Sequence, residues 1–506
     1  MPTFAAVDVG SNSVRLKIAK LVRGRLTSIK EDREVTRLGE SVFRNGMLDP
    51  KAIDQTVKVL RRFHRSATQL GVDSVRVVAT SALRDARNAS SFLEWVRSST
   101  GWHPEIISGI EEGRLIHLGV IANTRVKKWP LLLMDLGGGS CELTTSDHGR
   151  IRSMVSLPLG AVRLTEEFIQ SDPPKPKELE RMRQFIAEEV GKLERRMRQQ
   201  APQSVIATSG TAAALAALAE NLDHSPRKDA VSRKALDKVT AEIARRNLAQ
   251  RRLMEGIGPR RAEIIVAGST VYQQIVERFG LGGFLYSPLG LRDGLLAQMS
   301  ADYDHSTALG KKVRSERESG LADAASHYGT DQRFAQHVRD LAMSLFAQLK
   351  PLHQLPEEYE DWLNAAAILH EVGSFISRTG RHRHAYYIIA NSEMYGFTRE
   401  QRRIVAAIAR YMGKSKPNPQ DTALRPLPAR DRQLVIRSIA LLRLARAMNT
   451  GRRSAVTGVR AKVKDAQVSL KMQTRRAGAE LELWSVLKER GYFREVFGRE
   501  LVADAA

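Results

Sequence analysis

Residues 131–143 of the chain read LLLMDLGGGSCEL. The apolar run before the glycines is too short to cross a membrane, and three consecutive glycines make a long helix unfavourable. The pattern predicts a buried strand over residues 131–136 that opens into a glycine-rich loop and returns as a second strand. Carboxylates flank the loop on both sides, at Asp135 and Glu142. A plain chain reversal does not require them, so these carboxylates indicate a chemical role for the loop.

The N-terminal residues repeat this arrangement. Residues 4–9 predict a buried strand, residues 10–13 (Gly-Ser-Asn-Ser) a tight turn, and residues 14–21 a returning strand. Two more strand–loop–helix patterns follow, at residues 204–220 and 284–299. The sequence therefore predicts an α/β fold in which a βββαβα-type domain is duplicated.

The character of the sequence changes near residue 300. Residues 300–319 are polar and irregular, which favours a linker, and residues 331–449 read as a run of helices. Residues 456–484 alternate in the manner of a small terminal sheet. These changes predict four segments: a first α/β domain (1–125), a second α/β domain (126–300), a helical domain (301–450) and a small α+β segment (451–506).

The composition limits the class of protein. The chain has 506 residues, with 80 Lys and Arg against 56 Asp and Glu, a formal net charge of +24 that favours a polyanionic partner such as nucleic acid, an anionic membrane or polyphosphate. The single cysteine, Cys141, excludes an intrachain disulfide. No apolar stretch of about 18 residues is long enough to span a bilayer, and the N-terminus enters a strand pattern without a signal-type segment. We expect a cytoplasmic protein without a membrane partner.

Three polar loops at strand ends are suited to phosphate. Glycine has no Cβ, so its backbone N–H can come close to an oxyanion, and the third loop also precedes a helix whose N-terminus favours negative charge. Tight hairpins use similar residues, but three such loops in one chain favour phosphate binding. The candidate residues are Ser11, Asn12, Ser13, Gly137, Gly138, Gly139, Ser140, Ser209 and Gly210.

Carboxylates lie beside these loops. Asp8 and Asp135 end the first strand of each repeat, and a fold whose halves face one another would bring them near Glu142 and the same phosphates. Carboxylates and phosphates repel each other unless a cation lies between them, and Mg²⁺ binds through oxygens and water. These three residues are therefore candidate metal ligands. The alternative is that strand-end aspartates only stabilise turns.

Residues 108–114 (Ser-Gly-Ile-Glu-Glu-Gly-Arg) are a further candidate site. Two adjacent glutamates at a helix start can simply stabilise the positive end of the helix dipole, or one of them can orient a water molecule. Arg84 and Arg114 are candidates for bidentate contacts with phosphate oxygens.

The ordered set of motifs in the first 300 residues resembles that of the exopolyphosphatases and guanosine pentaphosphate phosphohydrolases. The stretches are AAVDVGSNSVRL (5–16), VVATSALRDARNASSFL (77–93), ISGIEEGRLIHLGV (107–120), LLLMDLGGGSCEL (131–143), SLPLGAVRL (156–164), VIATSGTAAALA (205–216) and SPLGLRDGLL (287–296). The resemblance implies duplicated actin-like (RNase H-like) domains with a cleft between them. The length and the helical region resemble the long form of this family, which carries an HD-like C-terminal domain.

The resemblance also implies a reaction: hydrolysis of the terminal phosphoanhydride of inorganic polyphosphate, with processive release of orthophosphate. Glu112 matches the catalytic glutamate, and Glu142 matches a second acid placed to help with the water or the metal. Asp135 matches the loop aspartate linked to Mg²⁺, and Arg84 matches a phosphate-contacting arginine. The cofactor implied is Mg²⁺, with Mn²⁺ as an alternative and K⁺ as a further cation.

The helical region contains Ile368-Leu-His-Glu-Val-Gly373, which resembles the His-Asp pair of metal-dependent HD phosphohydrolases with Glu371 in place of Asp. His337, His382 and His384 fall at plausible ligand positions. A working site also needs a later Asp, and the corresponding stretch, residues 441–449, contains none. We therefore expect a degenerate HD-like domain without a catalytic metal, which serves in homodimer formation and in guiding a long polyanion.

Several alternatives stay open. A pppGpp 5′-phosphohydrolase fits the same motifs, and the charge of +24 favours the longer polyanion only modestly. An actin-like ATP-dependent kinase or switch needs an adenosine pocket, for which the short polar third loop gives little support. Specific nucleic-acid binding ranks last because no DNA- or RNA-recognition motif is present. Cys141 replaces the usual threonine of the family, and we expect its thiol to be inert because no activating neighbour is evident in the sequence.

Overall fold

In the computed structural model, the described residues are 1–223, 229–259, 261–392, 394–475 and 478–505. They form two compact units, Met1–Val313 and Arg314–Ala506. None of the helices in these ranges combines the length and the hydropathy that a membrane crossing needs.

The first unit begins with one α/β repeat. Its five-stranded sheet has the order β3-β2-β1-β4-β5, in which β1 pairs antiparallel with β2 and parallel with β4. The elements are β1 (Thr3–Val9), β2 (Ser13–Val22), β3 (Arg25–Val35), α1 (Val42–Asn45), α2 (Pro50–Gln69), β4 (Ser74–Ala79), α3 (Ser81–Asp85), α4 (Ala89–Thr100), β5 (Glu105–Ile106) and α5 (Gly109–Asn123).

The second repeat has a sheet of order β10-β11-β9-β6-β7-β8, with β6 again antiparallel to its hairpin partner and parallel to the next strand, β9. Its elements are β6 (Leu131–Leu136), β7 (Cys141–Asp147), β8 (Arg150–Leu157), α6 (Ala161–Phe168), α7 (Pro176–Gly191), α8 (Glu194–Gln200), β9 (Ser204–Thr208), α9 (Ser209–Asp223), β10 (Ala230–Ser232), α10 (Arg233–Arg245), α11 (Leu248–Arg252), α12 (Ile265–Arg278), β11 (Gly283–Tyr286) and α13 (Leu291–Tyr303).

The two glycine hairpins are built in the same way. The N–H of Gly10 donates to the carbonyl of Ser13 at 3.2 Å, and the N–H of Gly137 donates to the carbonyl of Ser140 at 2.9 Å. Each bond closes the turn between the first two strands of its repeat. The predicted duplicated, actin-like α/β fold is therefore confirmed down to the geometry of its loops.

Two crossing helices, α5 and α13, join the repeats. They approach closely at Gly119 and Gly294: a Cβ at Gly119 would lie 2.6 Å from the backbone N of Gly294, and one at Gly294 would collide with the backbone of Leu115. Since α5 begins at the cleft, this contact fixes the direction in which its first turn points. The two repeats are thus held together by backbone-to-backbone packing.

The predicted linker at residues 300–319 is wrong. Helix α13 extends to Tyr303 and α14 (Ala308–His327) begins soon after it. The few apolar residues of this stretch, Leu309 and Val313, pack against Leu118. They are too sparse to give a visible helical period. The boundary between the units falls at residue 313 instead of 300.

The second unit is a helical domain with a three-stranded sheet of order β12-β13-β14. Its core is continuous from the helices into the sheet, so the predicted segments 301–450 and 451–506 are not separate bodies. After α14 the elements are α15 (Gln332–Gln348), α16 (Lys350–His353), α17 (Glu358–Leu369), a 3-10 helix (Val372–Phe375), α18 (Arg381–Asn391), α19 (Arg399–Arg410), α20 (Ala429–Ala447), β12 (Val456–Val463), β13 (Gln467–Thr474), α21 (Glu480–Lys488), α22 (Arg490–Phe497) and β14 (Glu500–Ala505).

The predicted terminal sheet is only partly correct. Its first two strands are β12 and β13, but Leu481 and Leu483 lie on helix α21, and residues 476 and 477 are outside the described residues. The Glu-Leu-Glu-Leu alternation misled the prediction, because Glu482 is buried and accepts a 2.9 Å hydrogen bond from the N–H of Gly451, whereas Leu481 is exposed. The third strand is Glu500–Ala505.

Candidate active site

A cleft of about 660 Å³ lies between the two repeats. Most of the residues predicted from the sequence line this cleft. Arg84 and Glu142 lie behind the lining: Arg84 donates a hydrogen bond to Glu112, and the charge of Glu112 acts on Glu142. The predicted residues in the lining are Asp8, Ser11, Asn12, Ser13, Glu112, Asp135, Gly137, Gly138, Gly139, Ser140, Ser209 and Gly210.

The second glycine loop owes its shape to close packing on both sides. The first N–H groups of α6 bond to its carbonyls, Ala161 N to Gly137 O at 3.0 Å and Val162 N to Gly138 O at 2.8 Å. On the opposite side, a Cβ at Gly139 would collide with the Ser81 hydroxyl of the first repeat. Glycine is therefore required for the two loops to face each other at this distance.

The third loop has a strained backbone at its first helical residue. Ser209 has φ of 86°, a left-handed conformation that a residue with a side chain adopts only where its surroundings hold it. The hydroxyl of Tyr272 donates to Thr208 O at 2.8 Å and lies 3.3 Å from Ser209 Oγ. At the next position, any Cβ on Gly210 would collide with the guanidinium of Arg261. The loop thus places an arginine against a glycine at the cleft wall.

Glu112 lies in the first turn of α5, which begins after the N-cap Ser108. The side chain of Glu112 is buried, and its Oε2 accepts a 2.9 Å hydrogen bond from Arg84 Nη1. Burial raises the pKa of Glu112 to about 7, against the opposing effect of Arg84 and with help from the negative charges of Asp8 and Asp135. A carboxyl group in this range can exchange a proton near neutral pH.

The neighbouring glutamate has a different role. Glu111 accepts hydrogen bonds of 2.8 and 2.9 Å from Arg114, whose guanidinium is buried and also donates to Gln298 at 3.0 Å. Arg114 is therefore not available to phosphate, and the hypothesis that it binds phosphate is wrong. The geometry distinguishes the two adjacent glutamates, which the residue pattern left open and for which the family resemblance favoured Glu112.

Arg84 links the acid to the second glycine loop. Besides Glu112 it donates to the carbonyl of Ile107 at 2.9 Å and to Ser140 Oγ at 3.2 Å. The guanidinium is thereby held between the two repeats. Its predicted contact with phosphate stays a prediction.

Glu142 lies on β7, behind the cleft. Its Oε1 accepts a 2.7 Å hydrogen bond from Ser156 Oγ, whereas its buried Oε2 has no partner among the described residues. Burial raises the pKa of Glu142 well above its usual value, and the charges of Glu112 and Asp135 raise it further. Ionisation of both Glu112 and Glu142 would place two like charges in one buried site, which is costly. The pair therefore tends to retain one proton.

Asp8 and Asp135 both line the cleft, and Asp135 accepts a hydrogen bond from the Thr208 hydroxyl. Burial raises the pKa of Asp8, and burial together with the charge of Asp8 raises that of Asp135. Two neighbouring carboxylates that both resist ionisation provide a favourable environment for a cation.

Asp8 and Asp135 could bind Mg²⁺ through two carboxylates, with water and phosphate oxygens as its remaining ligands. In the described ranges, no three His, Cys, Asp or Glu side chains form a ready-made metal cluster, so the predicted set of Asp8, Asp135 and Glu142 does not converge as a preformed site. The reason is that Glu142 turns towards Ser156. Mg²⁺ is commonly bound by one or two carboxylates with substrate oxygens and water, which Asp8 and Asp135 can supply. Mg²⁺ itself stays a prediction.

The sequence reasoning missed four arginines that line the cleft: Arg15, Arg33, Arg261 and Arg292. Burial together with Arg33 and Arg15 lowers the pKa of Arg261 to about 10, which reflects the crowding of positive charge. Two of the four could have been found: Arg15 lies two residues after Ser13 on the same face of β2, and Arg292 follows the third strand–loop–helix turn.

The remaining sequence predictions concern Cys141 and the HD-like histidines. Burial raises the pKa of the Cys141 thiol well above its usual value, with help from Glu142 and Asp135, so the thiol is inert as predicted. In the second unit, Glu371 is paired with Arg452 and Arg381, and burial lowers the pKa of His370 to about 4. A carboxylate held by two arginines is a poor metal ligand, which supports the expectation of a degenerate site.

The duplicated α/β repeats, with two glycine loops facing each other across a cleft, define a protein with the actin-like fold. The chain belongs to the Ppx/GppA phosphatase family: residues 17–302 match the Ppx/GppA phosphatase family model, and residues 317–489 match the model of Ppx/GppA phosphatase, domain III.

Individual relatives agree with this membership. The guanosine-5'-triphosphate,3'-diphosphate pyrophosphatase of Aeromonas hydrophila is 28% identical over 413 residues, 80% of this chain and 80% of the relative. The crystal structure of the Aquifex aeolicus family member is 31% identical with a TM-score of 0.52, over 60% of this chain and 99% of that one. An exopolyphosphatase from Cytophaga hutchinsonii, 22% identical with a TM-score of 0.56 over 59% of this chain and 98% of that one, shares the fold.

Proposed function

We propose that the protein is an exopolyphosphatase, which hydrolyses the terminal phosphoanhydride of inorganic polyphosphate and releases orthophosphate. The observation that carries the proposal is the presence of Arg15, Arg33, Arg261 and Arg292 in the same cleft as Glu112. Four cations in one cleft suit a ligand that carries a charge on every unit.

Glu112 is the proposed general base. A water molecule attacks the terminal phosphorus, Glu112 takes a proton from that water, and the bond from phosphorus to the bridging oxygen breaks. The products are orthophosphate and a chain shortened by one phosphate, whose new terminal oxygen carries the electron pair of the broken bond. The pKa of about 7 lets Glu112 accept this proton near neutral pH.

The other residues hold the substrate and offset its charge. Backbone N–H groups of the glycine loops bind the terminal phosphate, and the four arginines bind the phosphates that follow. Mg²⁺ bound by Asp8 and Asp135 would supply positive charge next to the phosphate oxygens. Glu142, with its unpaired Oε2, would hold the water or a metal-bound water in place.

Hydrolysis of pppGpp to ppGpp is the second candidate. It is supported by the name of the Aeromonas relative and by part of the cleft lining, which offers a nucleoside both small neighbours and a ring to stack against. These lining residues are Ala213, Ala214, Gly256, Ile257, Gly258 and Tyr286. The reaction at phosphorus would use the same Glu112.

The deciding experiment compares orthophosphate release from long-chain polyphosphate, tripolyphosphate and pppGpp, each with and without Mg²⁺. We expect the highest kcat/KM for long-chain polyphosphate. A higher value for pppGpp would favour the second candidate. A parallel reaction with polyphosphate and ADP, in which ATP forms instead of orthophosphate, would indicate a kinase and contradict both hydrolases. The Glu112→Gln protein, purified in the same way, controls for contaminating phosphatases.

A further inference from the structure

Positive charge is concentrated in the second unit around His370 and Glu371, the degenerate HD-like pair. The backbone of the 3-10 helix after Glu371 touches that of α18 so closely that a Cβ on Gly373 would collide with the carbonyl of Arg381. This contact places the N-terminus of α18, the positive end of its dipole, beside Glu371. Around it lies a group that we call the arginine cluster: Arg381, His382, Arg383, Arg410 and Arg446.

The cluster is held by packing against the turn that follows α19. Arg446 Nη1 donates to the carbonyl of Met412 at 3.0 Å, and a Cβ on Gly413 would lie 2.6 Å from Cε1 of the His382 ring. Arg410 ends α19 at the same place, with its guanidinium 5.4 Å from the centroid of the Tyr411 ring. Three helices thus bring their basic residues to one point.

The carboxylates near the cluster are already engaged. Glu371 accepts hydrogen bonds of 3.1 and 2.8 Å from Arg452, and Arg381 Nη1 lies 3.3 Å from its Oε1. Asp421, the acid near Arg410, accepts a 2.8 Å hydrogen bond from the Tyr411 hydroxyl.

A third acid, Glu489, is held by Arg443 at 2.7 and 3.1 Å. Within the described residues, no carboxylate bonds to His382, Arg383 or Arg410. The buried Nη1 of Arg410 has no hydrogen-bond partner there. The cluster therefore contains more positive charge than the protein itself neutralises.

We propose that the arginine cluster is a second binding site, for a phosphate-bearing anion, at the position where the HD-like domain would otherwise hold a metal. Guanidinium groups bind phosphate oxygens in pairs of hydrogen bonds, and a buried N–H without a partner costs free energy that such an anion recovers. A divalent cation is excluded at the same point by the repulsion of the surrounding arginines. Burial and the four arginines lower the pKa of His382, which agrees with a local potential that favours an anion.

This site is independent of the proposed reaction, because the cluster contains none of the residues assigned to catalysis. Three kinds of ligand carry the phosphate oxygens that such a site would bind: orthophosphate, inorganic oligophosphate and nucleotides. Isothermal titration calorimetry of the full chain distinguishes them when orthophosphate, tripolyphosphate and GTP are titrated in turn. The Glu112→Gln background, with Mg²⁺ left out of the buffer, slows hydrolysis during the titration.

We expect tripolyphosphate to bind the Glu112→Gln protein in two events. In the cluster variant, which carries Arg383→Gln and Arg410→Gln in addition, one of these events should be weakened by about 10- to 100-fold or lost. In ¹⁵N-histidine spectra of the background protein, the His382 signal, assigned with a His382→Asn variant, should shift during the event that the cluster variant loses. Arg430→Gln is the control for loss of charge: it removes one positive charge from α20, as Arg383→Gln alone does from α18, about 24 Å along the helix from Arg446, and should retain both events.

The outcomes separate the two proposals. Equal titrations of the background and the cluster variant would overturn the second site. A single event in the background that the cluster variant loses would support the second site and count against phosphate binding in the cleft. Arg383 is exposed, so Arg383→Gln alone provides a partial version of the test if the double substitution disturbs folding. If orthophosphate binds as tightly as tripolyphosphate, the site is one for the released product.

Discussion

Arg84 Nη1 donates a 2.9 Å hydrogen bond to Oε2 of Glu112, and the same guanidinium reaches Ser140 Oγ at 3.2 Å. One arginine therefore holds the proposed base and touches the loop that is proposed to hold the phosphate. This relationship explains how an acid at the start of α5, in the first repeat, is held in a fixed position relative to a loop of the second repeat. Its consequences can be measured.

Substitution of Glu112 by Gln should reduce kcat by about 10²- to 10⁴-fold, the usual contribution of a general base, and leave substrate binding nearly unchanged. Gln keeps the shape and can still accept from Arg84, but it cannot take a proton. Glu111→Gln is the control, since its carboxylate pairs with Arg114 and not with the cleft. Near-normal turnover of Glu112→Gln would rule out the assignment.

The pH dependence of catalysis should follow the pKa of Glu112. Because this pKa is raised to about 7, kcat/KM should rise as pH increases through about 7 and then level off, in a fixed excess of Mg²⁺. In Glu112→Gln the residual rate should lose this step. A wild-type profile that is flat between pH 5 and 9 would contradict Glu112 as the base.

Stability should change with pH in the opposite direction. A carboxyl group with a folded pKa above its unfolded value binds its proton more tightly in the folded state, so ionisation at rising pH favours unfolding. The free energy of unfolding of the first unit, measured without metal, should therefore fall between about pH 4.5 and about 7. The fall should be shallower in Glu112→Gln. An equal slope in both proteins would argue against a raised pKa at this residue.

Gly139→Ala should destabilise the first unit by about 1–3 kcal/mol and abolish most of the activity. The new methyl group would collide with the Ser81 hydroxyl and the Phe43 ring, which forces the facing loops apart. Gly282→Ala is the control, because a Cβ there meets no atom within 4 Å. Denaturant unfolding and phosphate release from the same preparations test both effects, and an active, fully stable Gly139→Ala protein would show that close approach of the loops is unnecessary.

Arg261→Gln should lower kcat/KM for long-chain polyphosphate by about 10- to 100-fold, the range for loss of a charged hydrogen bond. Its guanidinium lies against Gly210 at the cleft wall. Arg65→Gln removes the same charge from an exposed position on α2 and should have little effect. Equal losses in the two variants would mean that overall charge, and not a contact in the cleft, drives binding.

In the second unit, Arg452→Gln should lower the free energy of unfolding by about 1–3 kcal/mol, because it leaves the buried carboxylate of Glu371 without its bidentate partner. The adjacent exposed Arg453→Gln is the control. Chelation of divalent metal should leave the unfolding of this unit unchanged. A lower Tm on chelation would instead indicate a metal at the HD-like position.

The sequence was most informative where a local pattern repeats. The glycines after two buried strands, and the aspartate before each loop, indicated the duplicated α/β fold because a turn between paired strands is decided by neighbouring residues. It was least informative in weakly periodic stretches, as at Leu309 and Val313, where too few apolar residues mark the helix. Glu482 is a related case, since the burial of its charge depends on a hydrogen bond from Gly451, a residue distant in the sequence.

The sequence by itself determined the loops, the duplicated fold and the set of acids near the cleft. The family resemblance favoured Glu112, but only the tertiary structure shows why Glu112 and not Glu111 faces the cleft, because the direction of α5 depends on its contact with α13 at Gly119 and Gly294. It also decided that Arg114 is engaged and that four other arginines line the cleft, since their distances arise from chain segments far apart in sequence. Local residue choice sets backbone geometry, whereas burial and long-range charge set the pKa of Glu112 and with it the proposed chemistry.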